Sequence, residues 1–212
     1  SIHEYVNVPV LENKEDYYIG QSKNLKPLRD LHNYIKYKLI VGVGSKSSRN
    51  NHILDTSIGL GGDLNKYLDK IVHCKFILGL DIAPVDEACR RYYTNDWKDD
   101  KNKAVFLKYD TSKNIKDKSG LDLDLHGDNM LNIIYDIKDT TILEKYKNID
   151  KIYRGLANKK FDIISTQFSI HYYFKDENTL NGYLENIIQN IKEGGYFIGT
   201  CYDGNRIFER LK

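Results

Sequence analysis

The stretch His52-Ile53-Leu54-Asp55-Thr56-Ser57-Ile58-Gly59-Leu60-Gly61-Gly62-Asp63 constrains this chain more than any other. A short apolar run meets three glycines, and Leu64-Asn65-Lys66-Tyr67-Leu68 follows. The pattern predicts a strand, a tight turn and the start of a helix. Glycines let the backbone approach a ligand with no side chain in the way. The helix behind the turn points its unpaired N–H groups at that ligand. In an open parallel sheet, a turn of this kind binds a nucleotide-like molecule beyond the carboxyl ends of the strands.

The next apolar run, Phe76-Ile77-Leu78-Gly79-Leu80-Asp81, ends in an acid. A carboxylate at the tip of the second strand is placed to accept hydrogen bonds from ribose hydroxyls. Gly59, Gly61 and Gly62 spell G-x-G-G rather than the dinucleotide pattern G-x-G-x-x-G, and no G-x-x-x-x-G-K-[ST] is present. The expected ligand therefore has a ribose but needs no pyrophosphate. S-adenosylmethionine fits, and the missing third glycine argues against a nucleotide-dependent oxidoreductase.

The rest of the chain alternates strand and helix. Expected strands are Ile53–Ser57, Phe76–Asp81, Ala104–Tyr109, Phe161–Thr166 and Tyr196–Thr200. Between them the pattern predicts helices from Asp63, over Val85–Tyr93, and over a segment carrying Leu180, Leu184, Ile187, Ile188 and Ile191 on one face. Gly194-Gly195 reads as the stop of that last helix. Leu25–Ile40 reads as an amphipathic helix with Leu28, Leu31, His32, Ile35 and Leu39 on its apolar stripe, and Val41–Asn50 as a flexible connector. A short helix, Arg206–Leu211, closes the chain. The expected fold is α/β, a doubly wound Rossmann-like sheet. Residues 1–24 read as a lead-in, and 25–212 as the domain, with an insertion about 111–160. That insertion holds an alternating Leu121–Leu125 piece that hints at a short strand, and a helix over Ile142–Tyr153.

Composition narrows the function. The 212 residues suffice for one domain, and 41% are apolar, which argues against disorder. No apolar run is long enough to cross a membrane, and the first ten residues do not read as a signal peptide. Cys74, Cys89 and Cys201 are scattered, and the six histidines lack metal spacing, so neither a disulfide framework nor a metal is expected. The charge is only +2 overall, but Gln21–Asn50 carries seven basic residues against one acid. A basic segment beside a nucleotide-type pocket points to a polyanion such as RNA.

The second informative stretch, Gln167-Phe168-Ser169-Ile170-His171-Tyr172, leaves the fourth strand on the side of the glycine loop. There His171 could hydrogen-bond a base edge and Tyr172 could stack on it.

Four blocks in order resemble the guanine-N7 methyltransferase domain of mRNA capping enzymes. Leu28-Arg29-Asp30-Leu31-His32-Asn33-Tyr34-Ile35-Lys36 resembles R-x-F-N-N-x-x-K, and Asp55–Asp63 resembles D-L-G-C-G-K-G-G-D. Gln167–Tyr172 resembles Q-F-x-x-H-Y, and Gly194–Thr200 resembles G-G-x-F-I-G-T. The ending Asp203-Gly204-Asn205-Arg206 looks closest to enzymes of large DNA viruses.

The resemblance implies methyl transfer from S-adenosylmethionine to the cap guanine. Lys36, Gly59, Asp81, Asp110 and Gln167 would hold the cofactor: Lys36 its carboxylate, Asp81 its ribose, Asp110 its adenine. Asn33, His171 and Tyr172 would face the guanosine, with Arg29 at the cap phosphates or supporting its helix. No catalytic acid or base is implied, and no metal. Capped RNA, other domains of a longer capping enzyme and a stimulatory subunit are the implied partners. The implied compartment is the cytoplasm, a viral factory or the virion for a viral protein, and the nucleus for a cellular one. Ser57, Leu60, His32 and Tyr202 depart from the family pattern. The family sheet has seven strands where five are legible here, so a chain lacking the last strands is expected. The rival to an enzyme is a non-catalytic RNA-binding or scaffold module that kept the fold.

Overall fold

The computed structural model describes residues 26–96, 99, 101–122, 124–138 and 144–211. The lead-in 1–24 lies outside them, as do Ile142 and Leu143 of the helix expected from Ile142. The chain divides into two units, Ser1–Ile35 and Lys36–Lys212. Helix α1, Lys26–Gly44, begins in the first and ends in the second. In the first unit, Lys26 and Asp30 pair at 2.5 Å on an exposed face.

The second unit is a five-stranded sheet in the order β3-β2-β1-β4-β5, every pair parallel. The strands are β1 Asn51–Asp55, β2 Cys74–Asp81, β3 Lys103–Lys108, β4 Phe161–Gln167 and β5 Ile191–Thr200. Between them run α2 Leu64–Tyr67, α3 Asp86–Tyr93, α4 Leu125–Ile134, α5 Lys147–Tyr153 and α6 Glu177–Asn190, and α7 Gly204–Arg210 follows β5.

Side chains alternate across each strand, so the sheet feeds two cores. Leu54, Leu78, Val105 and Ile164 pack on one face with Leu131 and Ile134 of α4 and Tyr183 and Ile187 of α6. Their neighbours Ile53, Ile77, Ala104 and Ile163 pack on the other with Ile40 and Val41 of α1, Tyr67 of α2 and Ala88 of α3. Burial on both faces explains the consecutive apolar residues Ile53-Leu54 in β1 and Ile163-Ile164 in β4. The architecture is the doubly wound α/β sheet expected.

Several boundaries differ from the sequence reading. Helix α1 runs through Val41-Gly42-Val43-Gly44, because Ile40 and Val41 are core residues and Gly44 lies so close to Val72 that a Cβ would meet its Cγ1 at 2.8 Å. The stripe residues Leu28, Leu31 and Ile35 are exposed. On α6, Ile188 is 72% exposed, so the buried stripe is narrower than the pattern implies. Strand β5 starts five residues early: α6 ends at Asn190, and Gly194-Gly195 forms an irregularity inside the strand, where pairing jumps from Phe161↔Ile191 to Ile163↔Tyr196. Gly194 has φ 73, which a side chain resists. Of the strand suggested at Leu121–Leu125, Leu123 lies outside the described residues; Asp124 is instead the N-cap of α4, accepting from the His126 N–H, and Leu125 begins that helix.

Candidate cofactor and cap site

The strand order reverses between β1 and β4: the chain leaves β1 toward β2 and leaves β4 toward β5. Loops diverging in opposite directions open a crevice at the carboxyl edge of the sheet. The loop after β1, residues 56–63, forms one wall.

That loop is pinned from below. The Ile58 N–H donates to Leu80 O at 3.0 Å, and the Gly59 N–H to Asp81 Oδ2 at 2.7 Å. Asp81 Oδ1 accepts from the Ala83 N–H at 2.9 Å. Each carboxylate oxygen has a second lone pair for a ligand. The backbone turns at Gly59 (φ 51) and Gly61 (φ 75), and a Cβ at Gly61 would lie 2.7 Å from Leu64 Cδ1 and 3.0 Å from Ala88 Cα. Gly61 is therefore required by packing as well as by conformation, whereas Gly62 opens onto empty space.

Helix α2 has four residues, too short for the macrodipole expected behind the loop. Positive charge comes from side chains instead. Lys36 Nζ lies 2.8 Å and Lys66 Nζ 2.7 Å from Asp63 Oδ1, all three nearly buried. Two ammoniums on one carboxylate leave the trio with a net positive charge. Lys36 was expected here; Asp63 and Lys66 were not, although their i,i+3 spacing is the signal for such a pair.

Asp110 follows β3, its Oδ1 accepting from the Ser112 N–H at 3.0 Å and from Ser112 Oγ at 2.7 Å. Gln167 ends β4, buried and held at both ends of its amide. Its Oε1 accepts from Thr200 Oγ1 and its Nε2 donates to Ser165 Oγ, each at 2.9 Å. Ser165 Oγ lies 2.9 Å from the Tyr67 hydroxyl, which lies 2.7 Å from Asp55 Oδ2. Asp55 is 2% exposed, and burial pushes its carboxyl up to about 7 even though the Ser57 N–H and Tyr67 hydroxyl favour its charge. A chain of hydrogen bonds thus runs from Gln167 to the buried base of the loop. Among the described residues, the buried hydroxyls of Ser57 and Ser169, on the loops after β1 and β4, have no hydrogen-bond partner.

The opposite wall is aromatic. The His171 and Tyr172 rings are 4.2 Å apart, and His171 is 6.1 Å from Tyr202. Tyr202 is 5.5 Å from Phe168, whose ring lies 6.0 Å from Lys36 Nζ. Phe168 holds φ 55, a left-handed backbone that a bulky residue rarely adopts. His171, Tyr172 and Tyr202 are exposed. Tyr202 and Phe168 carried no expected role; their proximity comes from the pairing of β4 with β5. The second unit thus brings Lys36, Gly59, Asp81, Gln167, His171 and Tyr172 to one edge of the sheet, with Asp110 after the neighbouring β3. Arg29 and Asn33 belong to the first unit.

The sequence model of the mRNA (guanine-N(7))-methyltransferase domain matches residues 12–212. The chain belongs to this family. It is 31% identical over 199 residues to a probable mRNA-capping enzyme of Acanthamoeba polyphaga mimivirus, covering 92% of this chain and 16% of that one. It is 30% identical over 188 residues to the mRNA cap guanine-N(7) methyltransferase of Caenorhabditis briggsae, covering 85% of this chain and 40% of that one. The enzyme of that name from Debaryomyces hansenii is 30% identical over 194 residues, covering 87% of this chain and 33% of that one. The chain therefore spans well under half the length of these relatives. No helix among the described residues is long and apolar enough to cross a membrane, and no group of three or more His, Cys, Asp or Glu among them could hold a metal ion.

Proposed function

We propose that this chain transfers a methyl group from S-adenosylmethionine to N7 of the guanine that caps RNA. Membership of the cap methyltransferase family supports the reading, and one observation carries it onto these residues. A positively charged trio, strand-tip carboxylates and an exposed aromatic group share the switch-point edge of the sheet.

The donor set suits the cofactor. Lys36, with Lys66 beside it, would take the methionine carboxylate. Asp81 would accept from the ribose through its remaining lone pairs, and Asp110 would meet the adenine. Gln167 would line the crevice with one amide N–H still available, and the unpartnered Ser57 and Ser169 hydroxyls are suited to polar ligand atoms. When bound, S-adenosylmethionine supplies an electrophilic methyl on a sulfonium. His171 and Tyr172 would position the guanine, with Tyr202 as a third ring in the same wall. Guanine N7 attacks with a lone pair, so no side chain is asked to remove a proton. The residues contribute alignment and a polar environment for charge that spreads onto the base. The departures at Ser57, Leu60 and Tyr202 alter contacts within this plan and leave the sheet unchanged.

We also propose that the chain works as one module of a longer capping protein, as its alignment to 16% of the mimivirus enzyme suggests. Calorimetry with S-adenosylmethionine tests the reading. Binding that weakens on Lys36→Met supports it, and absence of binding to the folded chain rejects it.

A further inference from the structure

The opposite edge of the sheet carries a second charged feature. A cavity of about 570 Å³ opens at the amino ends of the strands, lined by Lys75, Lys101, Lys103, Lys159, Lys160 and Lys192. Each sits at or just before the start of a strand: Lys75 in β2, Lys101 and Lys103 at β3, Lys159 and Lys160 before β4, and Lys192 in β5.

Among the described residues that line it, Asp162 is the one carboxylate, and it is already engaged. Its Oδ1 lies 2.9 Å from Lys192 Nζ, and its Oδ2 accepts the His52 backbone N–H at 2.9 Å. His52 forms part of the lining, its Nδ1 3.0 Å from Leu156 O and its ring edge-on to Phe76. Its imidazole is held below the usual range by burial, with Lys159 and Lys192 adding to that. With Lys192 paired to Asp162, the ammoniums of Lys75, Lys101, Lys159 and Lys160 repel one another, and an anion would relieve that repulsion.

The basic segment Gln21–Asn50 is a weaker candidate for that role than its composition implies, since Lys26 and Lys36 are paired with Asp30 and Asp63. The lysine cavity is invisible to a composition window because it gathers residues from 75 to 192.

We propose that this cavity is a second RNA site, which holds the phosphodiester backbone of the transcript beyond its cap. The inference rests on the reading that the substrate is RNA. The lining favours phosphate contact over base readout: six of its residues are lysines, its one amide side chain, Asn50, sits in the turn before β1 rather than on a groove-reading helix or strand, and it has no Arg and no exposed ring for stacking. It also favours nucleic acid over an acidic protein segment, because the Tyr, Trp and Arg anchors of protein interfaces are absent from the described lining. The two sites lie at opposite ends of β2, whose eight residues span roughly 26 Å. A cap dinucleotide cannot reach both edges, whereas a transcript of about 25 nucleotides can.

The test uses the full chain and a triple variant, Lys101→Glu, Lys159→Glu and Lys160→Glu. A control triple, Lys116→Glu, Lys145→Glu and Lys147→Glu, lies outside the cavity lining. Circular dichroism checks that both fold. The probe is a 5′-hydroxyl RNA of 25 nucleotides with no cap, followed by anisotropy against salt. The cavity triple is expected to bind at least tenfold more weakly and to lower the logarithmic salt slope by about 2, at roughly 0.7 per lost single-strand phosphate contact. The control triple is expected to do neither. A matching pair of methylation assays is expected to show full activity of the cavity triple on the GpppA dinucleotide and a loss on a capped 25-mer.

Unchanged RNA affinity in the cavity triple overturns the proposal. So does binding of poly-glutamate, but not RNA, that depends on these lysines. Absence of methyl transfer to GpppA would instead count against the proposed function, and lysine-dependent RNA binding could be read independently of it.

Discussion

Asp55→Asn tests the buried network that supports the glycine loop, and pH is the variable that exposes it. The Asp55 carboxyl is 2% exposed and pushed up to about 7, against 3.8 ordinarily. The folded chain therefore binds the proton more tightly than the unfolded one. Below about pH 4 both states are protonated and the group is neutral to stability. Between about pH 4 and 7 the folded state holds more protons, so stability falls as pH rises, and above about 7 the full penalty is in place. At ~1.4 kcal/mol for each tenfold change in proton affinity, the rise from 3.8 to about 7 makes that penalty about 4 kcal/mol, of which about 3 kcal/mol accrues between pH 5 and pH 8. Asparagine keeps the shape and has no charge to desolvate. Its amide can donate to Tyr67, whose proton can then turn to Ser165. Urea denaturation of both proteins at pH 5, 6.5 and 8 isolates the group, since other titrations cancel in the difference. The variant is expected to gain about 3 kcal/mol on the wild type from pH 5 to pH 8. A difference that stays constant, or reverses in sign of slope, would refute the reasoning that burial dominates at Asp55.

Three further outcomes are expected. Gly61→Ala should cost about 2–4 kcal/mol, from a left-handed φ of 75 and a Cβ 3.0 Å from the Ala88 backbone. Gly62→Ala, with nothing within 4 Å, should fall within about 0.5 kcal/mol of wild type in the same urea titration. Asp81→Ala should weaken S-adenosylmethionine by about 1.5–3 kcal/mol in calorimetry, the range for hydrogen bonds to a charged group; unchanged affinity in the folded variant would remove the ribose assignment. His171→Ala should weaken a cap analogue by about 1–3 kcal/mol while leaving cofactor binding intact, and the opposite pattern would reverse the orientation of the pocket.

All five strands are legible in the sequence, the mostly exposed fifth with its start misplaced, and the strands buried on both faces most sharply. Ile53-Leu54, Phe76–Leu80 and Ile163-Ile164 are apolar runs because two cores need them. Elements shaped by single-residue geometry were misread. Gly194-Gly195 has the composition of a helix stop, yet the chain is already in β5 and uses the pair to shift register. Leu121–Leu125 alternates like a strand, but Asp124 supplies a helix cap. Val41–Gly44 looks like linker, and the burial of Val41 together with the close approach of Gly44 to Val72 shows why the helix continues. In the site, Lys36 and Gln167 came from the ordered blocks that resemble the family. Tyr202, the Asp63–Lys66 pair and the Asp55–Tyr67–Ser165–Gln167 chain were not given roles in advance, because each depends on which strands pair and which side chains then meet. The lysine cavity was hidden for the same reason.

The most direct measurement of the central claim is methyl transfer itself. The chain is incubated with GpppA and S-adenosylmethionine labelled at the methyl group, and the dinucleotide is recovered and analysed by mass spectrometry and chromatography against an N7-methylated standard. One added methyl on the guanine at N7 is expected, lost with Lys36→Met. Tight binding of S-adenosylmethionine with no methylated dinucleotide, or methylation at any other atom, would contradict that claim.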